Sequence, residues 1–366
     1  MKIKSIELNS FRNYDHVKCE LDAQLNVFIG ANGQGKTNLL ESMAFLSSLR
    51  SFRQVSDADL IQFNQDYARV QCVLEDDILN KKLSVMIHTN GKTLRYQNQL
   101  IRKTSEFIGL VNTVIFSPVD LNFFDDSPRV RRKSIDLEAG KLSRLYLRQS
   151  VEFNKLLKER NALLKESVID KTLLDVLTRQ LAKSQVEIIN YRRKMVDFIN
   201  KHINDVYNKF SKTPLDLKIL YQETLPSEKD LENKLYQLYQ ATLEKDIFFR
   251  ATQKGLHRDD FIFMAKDMEV SKIASQGQKR LVLLAFKLVL VDYIYHETKD
   301  YPILLLDDVF SELDQYHQKT LLAALPQDSQ TMITTTQSQV LSEINKQMTV
   351  FTITDGQLTS RRTYNG

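Results

Sequence analysis

Cysteine is nearly absent. Cys19 and Cys72 stand alone in 366 residues, with no pair spacing and no cysteine–histidine cluster, so neither a disulfide framework nor a zinc site is indicated. Each thiol is expected to be a plain packed side chain. The six histidines show no ligand spacing. Long hydrophobic runs are missing too: the longest apolar stretch, LVLLAFKLVLVDYIY, is broken by Lys287 and Asp292 and falls short of a membrane span. The opening MKIKSIELNS lacks the apolar core and small-residue cleavage site of a signal peptide, so a cytoplasmic location with no membrane partner is expected. Glycine and proline are scarce, and neither occurs between Gly140 and Pro214, which suits long helices.

What is present divides in three. The first 120 residues carry strand patterns: the short runs IKSIEL and HVKCEL, the buried-type runs LNVFIG and TVIFSP, and a hairpin with Asn90-Gly91 at its turn. Then comes helical spacing. Leu174, Leu177, Leu181, Ser184, Ile188, Tyr191, Met195 and Phe198 keep a 3/4 alternation, a seam for antiparallel pairing with the helix before it, the break falling at Ser167 to Asp170. A partly helical stretch follows from Pro226 to Phe249. After HRDDFIFMAKD the strand-and-helix texture returns, with PILLLDD and QTMITTT as buried strands. The expected organisation is an α/β body split in sequence, residues 1–120 and 255–366, with a coiled-coil-like helical arm, 121–254, inserted between its halves.

Charge is uneven. Residues 129–212 hold 20 Lys and Arg against 10 Asp and Glu, a net of +10 in a chain of net +5, so the remainder sums to −5. A polyanionic partner for the basic segment and a solvated helical face both account for this.

Three of the ten glycines fall in VFIGANGQGKTNLLESM. The segment Gly30–Thr37 fits G-x-x-x-x-G-K-[ST], with an apolar strand before it and a helix after it. In such a loop the backbone N–H groups of Gly30, Ala31, Asn32, Gly33, Gln34 and Gly35 converge on phosphate oxygens, and the following helix adds its positive N-terminus. Lys36 then reaches the β- and γ-phosphates, and the Thr37 hydroxyl ligates Mg²⁺. In PILLLDDVFSELD, Asp307 ends a buried strand, placed to hold Mg²⁺ opposite Thr37, and Asp308 is placed to orient or deprotonate an attacking water. Two acids capping the next helix is the plainer alternative. In ASQGQKR, the Ser275 hydroxyl and the Gly277 and Gln278 backbone at a helix start make a second phosphate cradle. That makes sense if it closes on a nucleotide held by a neighbouring subunit.

The order of P-loop, S-x-G-Q, D-D and SELD resembles the ABC-type ATPase head, with nucleotide sandwiched between two protomers. The segments NSFRNYD, SPRVRRKSID, LKERNALLK, HRDD and ITTT, taken with these, resemble the bacterial RecF family from about Leu8 to Thr336. Leu256 departs from it, standing where the family usually has proline. Asp308 stands where most ABC-type ATPases have glutamate, as the family does. In place of a transporter-like switch histidine, ITTT offers Thr334, Thr335 or Thr336. The resemblance implies an ABC/SMC-type P-loop ATPase head with weak, DNA-stimulated hydrolysis of ATP with Mg²⁺. It also implies an ATP-dependent homodimer that clamps DNA at gaps and single-strand/double-strand junctions. RecR and RecO are the implied partners in RecA loading for recombinational repair and fork maintenance.

For the DNA surface, Arg129, Arg131, Arg132, Lys133 and Arg144, with Lys141 and Arg148, lie on or just before the helical insertion. Phosphate contacts there give salt-sensitive affinity without base readout. Arg12 is open between contact with nucleotide or a partner head and a structural role. The ATPase subunit of a transporter and an ATP-bound clamp without turnover remain the rival functions.

Overall fold

In this computed structural model, residues 1–22, 24–75, 80–226, 229–337 and 347–364 are described, apart from the Glu312 side chain, so that part of SELD and residues 227 and 228 of the Pro226–Phe249 stretch lie outside. The chain divides into two compact units. One comprises Met1–Leu121, Asp205–Pro214 and Gln276–Gly366; the other comprises Asn122–Asn204 and Leu215–Ser275.

The first unit opens with β1 (Lys2–Phe11) and β2 (Tyr14–Glu20), while β3 (Leu25–Ile29) and the helix α1 (Lys36–Ser48) leave for a second sheet. β4 (Tyr67–Glu75), β5 (Lys81–His88), β6 (Gly91–Tyr96) and β7 (Gln99–Ile101) return, giving an antiparallel sheet of order β2-β1-β4-β5-β6-β7. Alternation builds it: Ala68, Val70, Cys72 and Leu74 of β4 point into the core and the residues between them do not. Cys19 and Cys72 are both buried here, and burial pushes each thiol up to about 12, so both are inert packing groups. The hairpin turns one residue earlier than expected. His88 pairs with Gly91, leaving Thr89 and Asn90 as the turn, and Gly91 starts β6 at φ +145°, where a side chain would be strained. After α2 (Thr104–Phe107), β8 (Thr113–Phe116) joins the second sheet.

The second unit contains α3 (Asn122–Asp125), α4 (Pro128–Leu142), α5 (Arg144–Leu163) and α6 (Lys171–Phe210), the last six residues of α6 belonging to the first unit. Ser143 caps α5 by accepting from Tyr146 N at 3.1 Å. The α5–α6 break falls at the expected place, where Asp170 accepts from the N–H groups of Thr172 and Leu173. β9 (Leu217–Gln222), α7 (Leu231–Ala241), α8 (Leu243–Phe248), β10 (Asp260–Ala265), β11 (Met268–Glu269) and α9 (Val270–Ile273) complete it, with a sheet of order β11-β10-β9. The unit therefore runs to Ser275, beyond the boundary at 254/255 expected from sequence. The cause is strand pairing: β10, inside HRDDFIFMA, pairs along its length with β9.

Back in the first unit, α10 (Gln276–Thr298), β12 (Ile303–Asp307), α11 (Gln315–Ala324), β13 (Thr331–Thr335), β14 (Met348–Thr354) and β15 (Gln357–Tyr364) close the second sheet, order β15-β14-β3-β13-β12-β8. It is parallel from β14 to β8, and β15 is antiparallel to β14, so the sheet is mixed as expected. Every residue of β12 and β13 is buried, as both faces of the parallel sheet are covered; β12 reads as an apolar run up to Asp307, whereas three of the five residues of β13 are threonine. α1 touches β8, β12 and β13 on one side and β1 on the other, so the helix after the glycine loop is buried almost all round. Among the described residues no helix is long and apolar enough to cross a membrane.

Candidate nucleotide site and nucleic-acid surface

The loop Gly30–Thr37 joins β3 to α1, and its glycines answer to particular neighbours. A Cβ at Gly30 would stand 2.4 Å from the backbone oxygen of Ile353. Gly35, at φ +110°, would carry a Cβ 2.7 Å from Asn13 Nδ2 and is also the residue that caps α1. The loop is braced from the β1–β2 turn and from β14–β15. Tyr14 Oη donates to Gly35 O at 2.9 Å, Asn13 Nδ2 to Gln34 O at 3.2 Å, and the backbone N–H of Gly356 to Gln34 O at 3.1 Å. Asn13 and Tyr14 lie in the NSFRNYD segment, so that segment supports the loop. Arg12 takes the structural role left open for it. Its guanidinium binds the fully buried Glu41 of α1 through Nε at 2.8 Å and Nη2 at 2.9 Å, and it donates to Asp59 O.

Lys36 is buried, and its ammonium donates to Gly30 O and Ala31 O, both at 2.8 Å. Burial lowers its pKa, and the carboxylates of Asp308 and Asp307 oppose that shift. The Thr37 hydroxyl donates to Asp307 Oδ1 at 2.8 Å. Thr334 sits between the two acids: its hydroxyl donates to Asp307 Oδ1 at 2.9 Å and accepts from Asp308 N at 2.9 Å. Of the three threonines in ITTT, it is Thr334 that touches the acidic pair. Burial holds the Asp307 carboxyl above the ordinary aspartate value, opposed by the bonds from Thr37 and Thr334. Asp308 takes a left-handed conformation, φ 50° and ψ 27°, and its buried Oδ1 has no hydrogen-bond partner among the described residues. Asp308 stands at the start of the helical turn Val309–Glu312, but its side chain makes no cap bond there, so the carboxylate is left strained and under-satisfied at the end of β12.

These donors fit a magnesium nucleotide. A hydroxyl and a carboxylate 2.8 Å apart offer two hard oxygen ligands, and Mg²⁺ characteristically takes only one or two from protein and the rest from phosphates and water. The described residues hold no cluster of three or more His, Cys, Asp or Glu.

The other expected residues lie elsewhere. Ser275 immediately precedes α10, and Gly277 and Gln278 are in its first turn, the helix-start position expected for them. On the basic segment, Arg129, Lys133, Arg144 and Arg148 are exposed. Arg131 and Arg132 are tied inside the second unit instead. Arg131 forks onto Asp260 through Nε at 2.8 Å and Nη2 at 2.6 Å, and Arg132 donates to Asp259 O. Lys141 is buried against Glu138 at 2.9 Å. Arg160 and Asp246 form a fully buried pair at 2.8 Å, and Arg192 pairs with Asp136 at 2.7 Å and Asp259 at 3.3 Å. Part of the +10 excess is thus internal structure, which a charge count cannot distinguish from surface.

A glycine loop between a parallel strand and a buried helix, an acidic pair ending β12 with one strand between it and β3, and long helices inserted between the halves define a P-loop ATPase head of the ABC/SMC kind. The family described as RecF/RecN/SMC N terminal domain matches residues 2–359. The DNA replication and repair protein RecF of Lactococcus lactis subsp. lactis is 36% identical over 97% of this chain and 98% of its own length. That of Pediococcus pentosaceus is 38% identical over 98% of each. A solved structure of the recombination mediator protein RecF-ATP in the RecFOR pathway superposes with TM-score 0.89 at 30% identity, covering 99% of this chain and 97% of that one. An SmcHead bound to the C-winged helix domain of ScpA, with TM-score 0.57 and 16% identity over 100% of this chain and 98% of that one, shares the fold alone. The chain belongs to the RecF family.

Proposed function

We propose that the chain is an ATP-dependent DNA-binding protein of recombinational repair and replication-fork maintenance. ATP drives two heads together into a homodimer that clamps DNA at gaps and single-strand/double-strand junctions, and with RecO and RecR it promotes RecA loading. The observation that carries the reading is the 2.8 Å bond from Thr37 to Asp307, which joins the phosphate loop to the acidic strand end.

In this reading ATP lies along Gly30–Thr37. Lys36 exchanges its two carbonyl acceptors for phosphate oxygens, and Thr37 and Asp307 hold Mg²⁺. Magnesium, when bound, offsets the charge of the phosphates. Asp308 orients or deprotonates the attacking water, and its unpartnered Oδ1 is the acceptor available for that proton. Ser275, Gly277 and Gln278 of one protomer close on the γ-phosphate held by the other, so ATP favours the dimer by differential contact, and slow, DNA-stimulated hydrolysis releases it. The exposed Arg129, Lys133 and Arg144 meet DNA phosphates, while Arg131 and Arg132 hold the α4 end in place beside them. Asp308→Asn tests the chemistry: it should retain ATP and accumulate as dimer, whereas wild-type hydrolysis by this variant would remove the role given to the carboxylate.

A further inference from the structure

The C-terminal end of α8 carries two phenylalanines in water. Phe248 is 80% exposed and Phe249 is 60% exposed, and their rings meet edge to face with centroids 5.0 Å apart. This is no loose end of chain. Beneath it, Asp246 is fully buried against Arg160, accepts from Gln253 N at 2.9 Å, and its backbone oxygen accepts from Ala251 N at 3.0 Å. Thr252 is buried too, accepting from Arg160 Nη1 at 2.6 Å. The rings therefore stand on a rigid mount.

Arg250 adds a second oddity. It occupies the position after the helix end where glycine is favoured, at φ +52°, with its side chain exposed. Along the chain from residue 244 to 254, the exposed charged residues are Lys245, Arg250 and Lys254 against one acid, Glu244.

We propose that this turn is a contact for unpaired nucleobases, with Phe248 and Phe249 offering ring faces for stacking and Lys245, Arg250 and Lys254 meeting the flanking phosphates. The proposal rests on the DNA role given above and adds to it a way of sensing single-stranded DNA. Aromatic faces interleaved with cations are the chemistry of single-strand binding, and stacking is tolerant of sequence. The charge balance selects a polyanion. The size of the apolar island selects bases over a protein surface, because protein hot spots sit at the centre of a broad desolvated patch. Here the exposed apolar side chains of 244–254 are these two rings alone, and every other exposed residue of that stretch is charged.

The chain has no tryptophan, which makes the test direct. Phe248→Trp and Phe249→Trp each introduce a single tryptophan, excited selectively beyond the tyrosine absorption band. Each is titrated in the full-length protein, with ATP and Mg²⁺, against an oligothymidine and against a blunt duplex, while anisotropy of labelled DNA reports binding. Oligothymidine should quench the tryptophan, and the duplex should bind with far less quenching. The double variant Phe248→Ala/Phe249→Ala should bind the single strand about tenfold more weakly and the duplex nearly unchanged. Arg250→Gly should keep or raise thermal stability, since glycine accepts the left-handed turn, while flattening the single-strand salt dependence by about one log–log unit. Single-strand binding without quenching, or an unaffected double variant, overturns the proposal and leaves the rings to a protein contact, with the DNA role intact. If the wild type binds neither DNA, the DNA role fails and the turn's role with it.

Discussion

Thr37 and Asp307 are 270 positions apart in the chain and 2.8 Å apart in the fold. One lies in the first turn of α1 and the other ends β12, and the bond between them assembles the candidate magnesium site from segments on either side of the second unit in the chain. Thr37→Val would break that bond and remove one oxygen ligand while keeping shape. The expected result is a loss of at least about tenfold in Mg²⁺-dependent ATP affinity, with little effect on nucleotide bound without magnesium, measured by isothermal titration in the presence and absence of EDTA. Equal losses in both conditions would separate Thr37 from the metal.

The buried Asp307 carboxyl gives a pH signature without nucleotide. Its pKa is raised in the folded protein by burial. The folded state therefore holds the proton more tightly than the unfolded chain. The group's stabilising contribution is complete below the ordinary aspartate value, about 3.9, and is lost as pH rises through the folded value. Asp307→Asn removes this loss, so its melting temperature should exceed that of wild type at neutral pH and converge on it toward pH 4. A difference that does not narrow on acidification would contradict the direction of the shift.

Gly35 is held by two constraints at once, a left-handed backbone and the Asn13 side chain 2.7 Å from any Cβ. Gly35→Ala should lower stability by about 1–3 kcal/mol in chemical denaturation and abolish ATP binding. Asn13→Ala in the same background should recover part of the stability by opening space, though not the part set by φ. No recovery at all would mean the Asn13 contact is unimportant.

Much of this site was legible in the sequence because its chemistry lies in contiguous segments. The loop Gly30–Thr37 and the Asp307-Asp308 pair each announce a strand end and a ligand type, and the largely apolar runs of β3 and β12 mark strands covered on both faces. What escaped is set by adjacency in space. Asn13, Tyr14 and Gly356 brace the loop from turns elsewhere in the chain; the segment NSFRNYD stands out in sequence but its bracing role does not, and nothing local marks Gly356. Thr334 was one of three equal threonines until the parallel register of β12 and β13 set it beside the acids. Nor does composition distinguish Arg131, forked onto Asp260, from Arg129 in solvent, and the strand β10 looked like a return to the head until its partner, β9, was known.

That difference separates two kinds of arginine experimentally. Charge reversal at Arg129, Lys133 and Arg144 should leave the fold intact, weaken duplex binding alike for all sequences, and flatten the salt dependence by roughly one log–log unit per lost phosphate contact. Arg131→Glu should instead destabilise the second unit by about 3 kcal/mol or more, because it leaves Asp260 facing a like charge in a buried site. If Arg131→Glu folds as well as wild type and only loses DNA, the arginine belongs to the binding surface after all.

The central claim is that each nucleotide is shared between two heads, and mixing two defective variants tests it most directly. Lys36→Met breaks the cradle but keeps Ser275, and Ser275→Arg keeps the cradle but blocks the facing phosphate. Neither should dimerise with ATP alone. In a mixed dimer one site carries both defects and the other is whole, so sedimentation velocity of the mixture with ATP should show a dimer boundary absent from either variant by itself. A Ser275→Arg protein that dimerises normally on its own with ATP, or a mixture that stays monomeric at concentrations where wild type dimerises, would contradict the shared site.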